Sequence, residues 1–196
     1  MSRTLDAVEQ LLRVRSFEDI SVTDIVERAS SSVGSFYAHF GNKEGLLPHL
    51  YERYDRNVHR RVERALASSE WQGMSLEEMA TWMVSQAVRS FRRRRWLVRA
   101  MGWYARKHPD AITPAMQARR DELHREIASA FAGHHDRIGR EDPARAVQLA
   151  IYFVNAICRD KILFPAPHAR GTRISDAQLI EELTVLFLSY LGVEPE

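Results

Sequence analysis

Three times along the chain a serine stands three residues ahead of a side chain that can reach back to it: Ser21 before Asp24, Ser75 before Glu78, Ser175 before Gln178. In a helix start of this kind the serine oxygen accepts the N–H of the third helical residue, and the acidic or amide group accepts the N–H of the serine. Each pair is bracketed by apolar residues in the staple positions: Ile20 with Ile25, Met74 with Met79, Ile174 with Leu179. Thr113-Pro114 and Asp142-Pro143 add two starts with proline in the first helical position, where its missing N–H costs nothing. Between these signals the apolar residues recur at helical spacing, and no segment alternates as a strand would. The expected fold is all-α, about nine helices. Those after the first domain should run roughly over 75–92, 95–106, 113–133, 142–163 and 175–191.

Leu5, Val8 and Leu12 define a first short helix. Asn42 reads as the cap of a long fourth helix, in which Leu46, Leu50, Tyr54, Val58 and Val62 follow at steps of four, ending near Ala67. The pattern breaks over 68–73. The expected division is therefore a small domain over 1–48, with the linking helix to about 67, and a larger one over 70–196. The proline-containing stretch from Pro165 to Thr172 reads as a loop.

Lys plus Arg number 28 against 26 Asp plus Glu, a formal charge of +2, so overall charge points to no polyanionic partner and any basic footprint has to be local. One cysteine, Cys158, forbids an internal disulfide and fits a reducing compartment. With no leader segment and no apolar run of about 18 residues, the expectation is a cytoplasmic chain with no membrane partner. Gly-rich phosphate loops, nucleophile elbows and metalloprotease pairs are all missing, so neither an enzyme nor a cofactor is expected. His134-His135-Asp136 is not a metal site, because adjacent side chains leave a helix in different directions. Asp121 and His124 share a face but would need further pairs, so no metal is expected. The run Arg92 to Arg95, with Arg89, reads as a solvated helix end.

The segment from Ser21 to Lys43 carries the function. Val22, Ile25, Val26 and Ala29 form the apolar face of one short helix, Ser30 to Ser32 turn the chain, and Ser32 caps a second in which Val33, Phe36 and Phe40 face inward. This is a helix-turn-helix pattern. In such a unit the second helix enters a major groove about 12 Å wide, which requires modest side chains on the entering face. Gly34, Ser35 and Ala38 meet that condition, and Tyr37 and His39 reach further toward bases or phosphates. Lys43, a cation near a helix start, is explained by a facing phosphate.

These residues resemble the TetR family of transcriptional regulators. That family's pattern of a capped helix, a turn, Gly-Thr-Leu-Tyr-x-His-Phe and Ser-Lys-Glu-x-Leu stands here as Ser21-Val-Thr-Asp-Ile25, Ala29-Ser30, Gly34-Ser-Phe-Tyr-Ala-His-Phe40 and Asn42-Lys-Glu-Gly-Leu46. By resemblance, Ser21, Thr23, Ser32, Gly34, Ser35, Tyr37, His39 and Lys43 contact DNA. Ser16 and Ser30 stand where the family usually has glycine, and a non-glycine residue at positive φ costs roughly 1 kcal/mol.

The resemblance further implies a homodimer on a palindromic double-stranded operator, and release by a small molecule. The dimer face is expected on the last two helices, through Val147, Ile151, Val154, Cys158, Leu183, Phe187 and Leu191. The effector, largely apolar or aromatic, is expected among Trp82, Gln86, Met101, Trp103, Tyr104 and Asn155. The alternative is an all-helical binding protein whose helix-turn-helix head does not read DNA.

Overall fold

The structure, a computed structural model, describes residues 1–68, 71, 73–111, 113–164 and 174–193. The expected loop over 165–172 lies outside the described residues. Helices follow one another as α1 (Ser2–Leu11), α2 (Val22–Arg28), α3 (Val33–Phe40), α4 (Leu46–Leu66), α5 (Leu76–Arg93), α6 (Arg95–Lys107), α7 (Pro114–Ala130), α8 (Pro143–Cys158) and α9 (Asp176–Leu191). The described residues contain no strand. Short 3-10 turns cover Pro109–Ala111 and Ala132–Arg137, and a π-type turn over Arg159–Leu163 ends α8. The start signals are realised in detail: Gln178 N–H donates to Ser175 Oγ at 3.2 Å while Ser175 N–H donates to Gln178 Oε1 at 2.9 Å. Ser75 and Glu78 exchange the same pair of bonds, and Asp142 accepts from Arg145 N–H at 2.9 Å ahead of Pro143.

The chain divides into two compact units, 1–58 with 93–117, and 59–92 with 118–196. In the first, Leu5 and Val8 of α1, Ile25 and Val26 of α2, Phe36 and Phe40 of α3, and Leu46, Leu47 and Leu50 of α4 close one core. Phe17 and Ile20 fill it from the α1–α2 loop. Burying each such side chain contributes about 1.5–3 kcal/mol. Leu97, Ala100 and Met101 of α6 join the same core. The two compact units divide within α4, between residues 58 and 59, and α6 falls in the first of them.

The second unit buries Leu76, Met79, Ala80, Val84 and Val88 along one stripe of α5. Trp71, Phe131 and Phe187 form an aromatic series, with ring centroids 6.0 Å and 5.9 Å apart in succession; Trp82 meets Trp71 edge-on at 5.2 Å. Arg137 pairs with Glu77 at 2.6 Å and, through that hydrogen bond first, holds the Glu77 carboxyl below its usual range.

The last two helices carry the residues expected at a dimer face. Val147, Ile151, Val154 and Cys158 of α8 and Leu183, Phe187 and Leu191 of α9 are all buried within the single chain. They pack these helices into the chain's own core. The exposed apolar residues lie on other faces: Tyr152 and Phe153 of α8, Val185 and Leu186 of α9. Phe153 meets Tyr190 edge-on at 5.1 Å, and Leu186 stands one turn before Tyr190.

Candidate nucleic-acid interface

Helix α2 begins at a complete capping box. Ser21 Oγ accepts Asp24 N–H at 3.0 Å and Ser21 N–H donates to Asp24 Oδ2 at 2.8 Å. The backbone and hydroxyl bonds from Ser21, aided by Arg15 at 3.4 Å, hold the Asp24 carboxyl below the usual carboxylate range. The helix ends on Ser30 at φ 49°, the one non-glycine positive φ among the described residues. Ser30 N–H donates to the Glu27 carbonyl at 3.1 Å and Ser31 N–H to the Val26 carbonyl at 2.9 Å, which is a full Schellman termination. Helix α9 ends with the same two bonds, from Gly192 to Ser189 and from Val193 to Leu188, but there a glycine holds the left-handed position at φ 72°. Ser16, the other place where a glycine was expected, keeps a negative φ, and its hydroxyl donates to Asp19 at 2.6 Å.

This turn sets up α3. Ser32 Oγ accepts Ser35 N–H at 3.2 Å, and Phe36 and Phe40, with centroids 5.2 Å apart, anchor the helix from beneath. Ser21, Thr23, Ser32, Gly34, Ser35, Tyr37 and His39 are all exposed. Val33 was expected inside but is 45% exposed, since α3 buries only Phe36 and Phe40. It thereby adds an apolar group of the kind that meets thymine methyls. Tyr37 is 48% exposed, with its ring braced edge-on by Phe36 at 5.6 Å. His39 Nδ1 lies 2.9 Å from the Ser35 carbonyl. A carbonyl can only accept, so the contact puts the proton on Nδ1 and leaves Nε2 an acceptor in the neutral ring. An open hollow beside α3 is bordered by Arg3, Ser31, Ser35 and His39. Arg3 and Ser31 were not among the expected contacts; the early cation in an amphipathic first helix was the available signal.

Lys43, expected at the DNA, makes local contacts in the free chain. Its Nζ donates to the carbonyls of Phe17 at 3.0 Å, Glu18 at 3.3 Å and Ile20 at 3.0 Å, and lies 4.8 Å from the centre of the Phe17 ring. Three acceptors match its three protons, so the cation clasps the α1–α2 loop. It does not sit in a helix. Asn42 Oδ1 accepts Gly45 N–H at 2.8 Å, and one tight turn leads into α4 at Leu46. No side chain fits at Gly45, where a Cβ would run into the Phe40 carbonyl.

The expected effector residues divide between the two units, Met101, Trp103 and Tyr104 in the first and Trp82, Gln86 and Asn155 in the second. Met101 and Tyr104 pack on the core of the first unit, and Trp103 of that unit is exposed, with Arg106 5.9 Å from its ring. Gln86 is exposed on α5, and the Asn155 amide donates to the Ile151 carbonyl of its own helix at 2.9 Å. Trp82 is half-buried against Trp71, whose indole Nε1 is buried without a hydrogen-bond partner.

A short capped helix, held outward behind a tight turn on its own small core, defines a helix-turn-helix reading head. The family model for bacterial regulatory proteins of the tetR family matches residues 5–50, and that for the tetracyclin repressor-like C-terminal domain matches 75–191. The chain belongs to the TetR family of transcriptional regulators. No curated protein matches it by sequence. Among solved structures it is similar to a TetR-family regulator from Mesorhizobium loti, at TM-score 0.67 and 16% identity over 97% of this chain and 94% of that one. It is also similar to the regulator PfmR from Thermus thermophilus, at TM-score 0.60 and 19% identity over 99% and 100%. A third is a regulator from a Rhodococcus species, at TM-score 0.58 and 16% identity over 97% of each chain. At these identities the likeness is one of fold.

Proposed function

We propose that this chain is a repressor that binds a palindromic operator as a homodimer and is released by a small, largely apolar or aromatic molecule. The observation that carries the reading is the exposed stripe Val33, Gly34, Ser35, Tyr37, Ala38 and His39 on a helix whose two phenylalanines fix it to the head. Small groups along its first turn let the backbone approach base edges, while Tyr37 and His39 supply longer polar contacts. Arg3, Ser31 and Ser35 around the adjacent hollow suit a backbone phosphate. A single short helix gives a small footprint, so affinity calls for two half-sites and therefore a pair of heads. Tyr152, Phe153, Val185 and Leu186 are the surface that would pair the chains. Release would follow if the effector binds the non-reading arrangement more tightly; each tenfold preference shifts operator affinity by up to tenfold, about 1.4 kcal/mol. Trp82, beside the unpartnered Trp71 indole, remains the effector-facing candidate in the second unit.

The test is selection of a binding site from random duplex DNA, followed by fluorescence anisotropy across a salt series. Tight binding with a steep salt dependence is expected, weakened by Tyr37→Ala with the dimer intact. If no sequence is enriched and low salt brings no binding, the head does not read DNA. If Tyr37→Ala unfolds the head, Tyr37 is a packing residue.

A further inference from the structure

We infer that His59, Glu63 and Glu126 form a binding site for one first-row divalent metal ion, with Zn²⁺ the best fit. His59 and Glu63 are one turn apart on α4 and share a face. Glu126 comes from α7, 63 residues away from Glu63 in sequence. One ligand atom from each of the three lies within 4.8 Å of the others. Around a tetrahedral ion with bonds of about 2.0–2.2 Å, ligand atoms stand roughly 3.3–3.6 Å apart. The contact between His59 Nε2 and Glu63 Oε1, at 3.1 Å, is already close to that separation. The third ligand needs a shift of about 1 Å, within the reach of a glutamate rotation.

A further observation points to a missing partner. Glu126 Oε2 is buried with no hydrogen-bond partner, and a carboxylate oxygen removed from water gains from a cation. The donor set decides which cation. Two carboxylates balance a dipositive charge, while the imidazole selects against Mg²⁺ and Ca²⁺, which take oxygen ligands. Three protein ligands leave a fourth position for water, and Glu63, 47% exposed, gives an entry path. A bound ion would lock the second half of α4 to α7 within the second unit. The site is independent of the DNA-reading proposal.

Tag-free, chelator-treated protein titrated with Zn²⁺ in a calorimeter should take up one ion per chain. Co²⁺ in its place should give the intense visible bands of a low-coordinate site. His59→Gln, Glu63→Gln and Glu126→Gln should each weaken Zn²⁺ binding at least about tenfold, because loss of a ligand costs no less than loss of a residue supporting one. His134→Gln with His135→Gln should leave the affinity unchanged. Circular dichroism checks that each variant folds, and Glu63→Gln, at an exposed position, keeps the test open if a more buried variant does not. No uptake in Zn²⁺ excess overturns the site, as does an affinity unmoved by Glu63→Gln, or uptake lost with the His134 and His135 pair.

Discussion

Lys43→Met removes the ammonium and keeps an unbranched stem over the Phe17 ring. The carbonyls of Phe17 and Ile20, part-buried and each 3.0 Å from Nζ, would lose their charged donor; the Glu18 carbonyl is exposed and would rebind water. Hydrogen bonds to a charged group contribute about 1.5–3 kcal/mol each, less where water can replace the donor. Solvent access to the clasp lowers the total, so the head should lose about 2 kcal/mol of stability. Urea unfolding followed by circular dichroism reads this as a lower midpoint at unchanged slope. The salt dependence of operator binding should keep its slope, since no phosphate contact has gone. A phosphate-bound lysine predicts the reverse: unchanged stability and a slope lower by about 1. That second pattern would refute the clasp.

Ser30→Gly should raise the stability of the head by about 1 kcal/mol, because glycine adopts the left-handed conformation without a Cβ penalty; Ser30→Val should lower the urea midpoint. Burial pushes the His124 pKa down, with Asp121 opposing and Arg120 assisting. The unfolded chain therefore binds the extra proton first, and stability should fall as pH drops below about 6.5. His124→Gln should flatten a thermal-melting profile across that range, and an unaltered profile would sink the assignment. Burial raises the Cys158 thiol to about 11, against a small opposing effect of Arg92. At pH 8 about one thiol in a thousand is then ionised, so iodoacetamide should label native protein far more slowly than urea-unfolded protein. Labelling at the rate of a free thiol would contradict the burial.

What the sequence disclosed was whatever chemistry is local. The serine starts at 21, 75 and 175 and the prolines at 114 and 143 are legible because a cap and its partner sit within one turn. The reading helix was legible for the same reason, through Ser32, Phe36 and Phe40. Long-range partners were not. Lys43 meets carbonyls 23 to 26 residues back, and nothing near it in sequence announces them. Leu97 and Met101 have an ordinary helical pattern that does not say which core they fill. On α8 and α9 apolar residues occupy two faces, Ile151 and Val154 beside Tyr152 and Phe153, Leu183 and Phe187 beside Val185 and Leu186. Periodicity identifies such helices but not which face turns inward. The His59, Glu63 and Glu126 cluster escaped notice because its third member lies on another helix.

The sealed seam between α8 and α9 separates folding from assembly. Had Val147, Leu183 and Phe187 waited for a second chain, each protomer would have carried an unfinished core and its stability would have tracked concentration. With those residues buried at home, the second unit completes its core in a unimolecular event. In the proposed dimer, pairing would fall to Tyr152, Phe153, Val185 and Leu186, a surface that substitutions could retune without endangering the fold. Dilution should then part such a dimer well before it melts the chains.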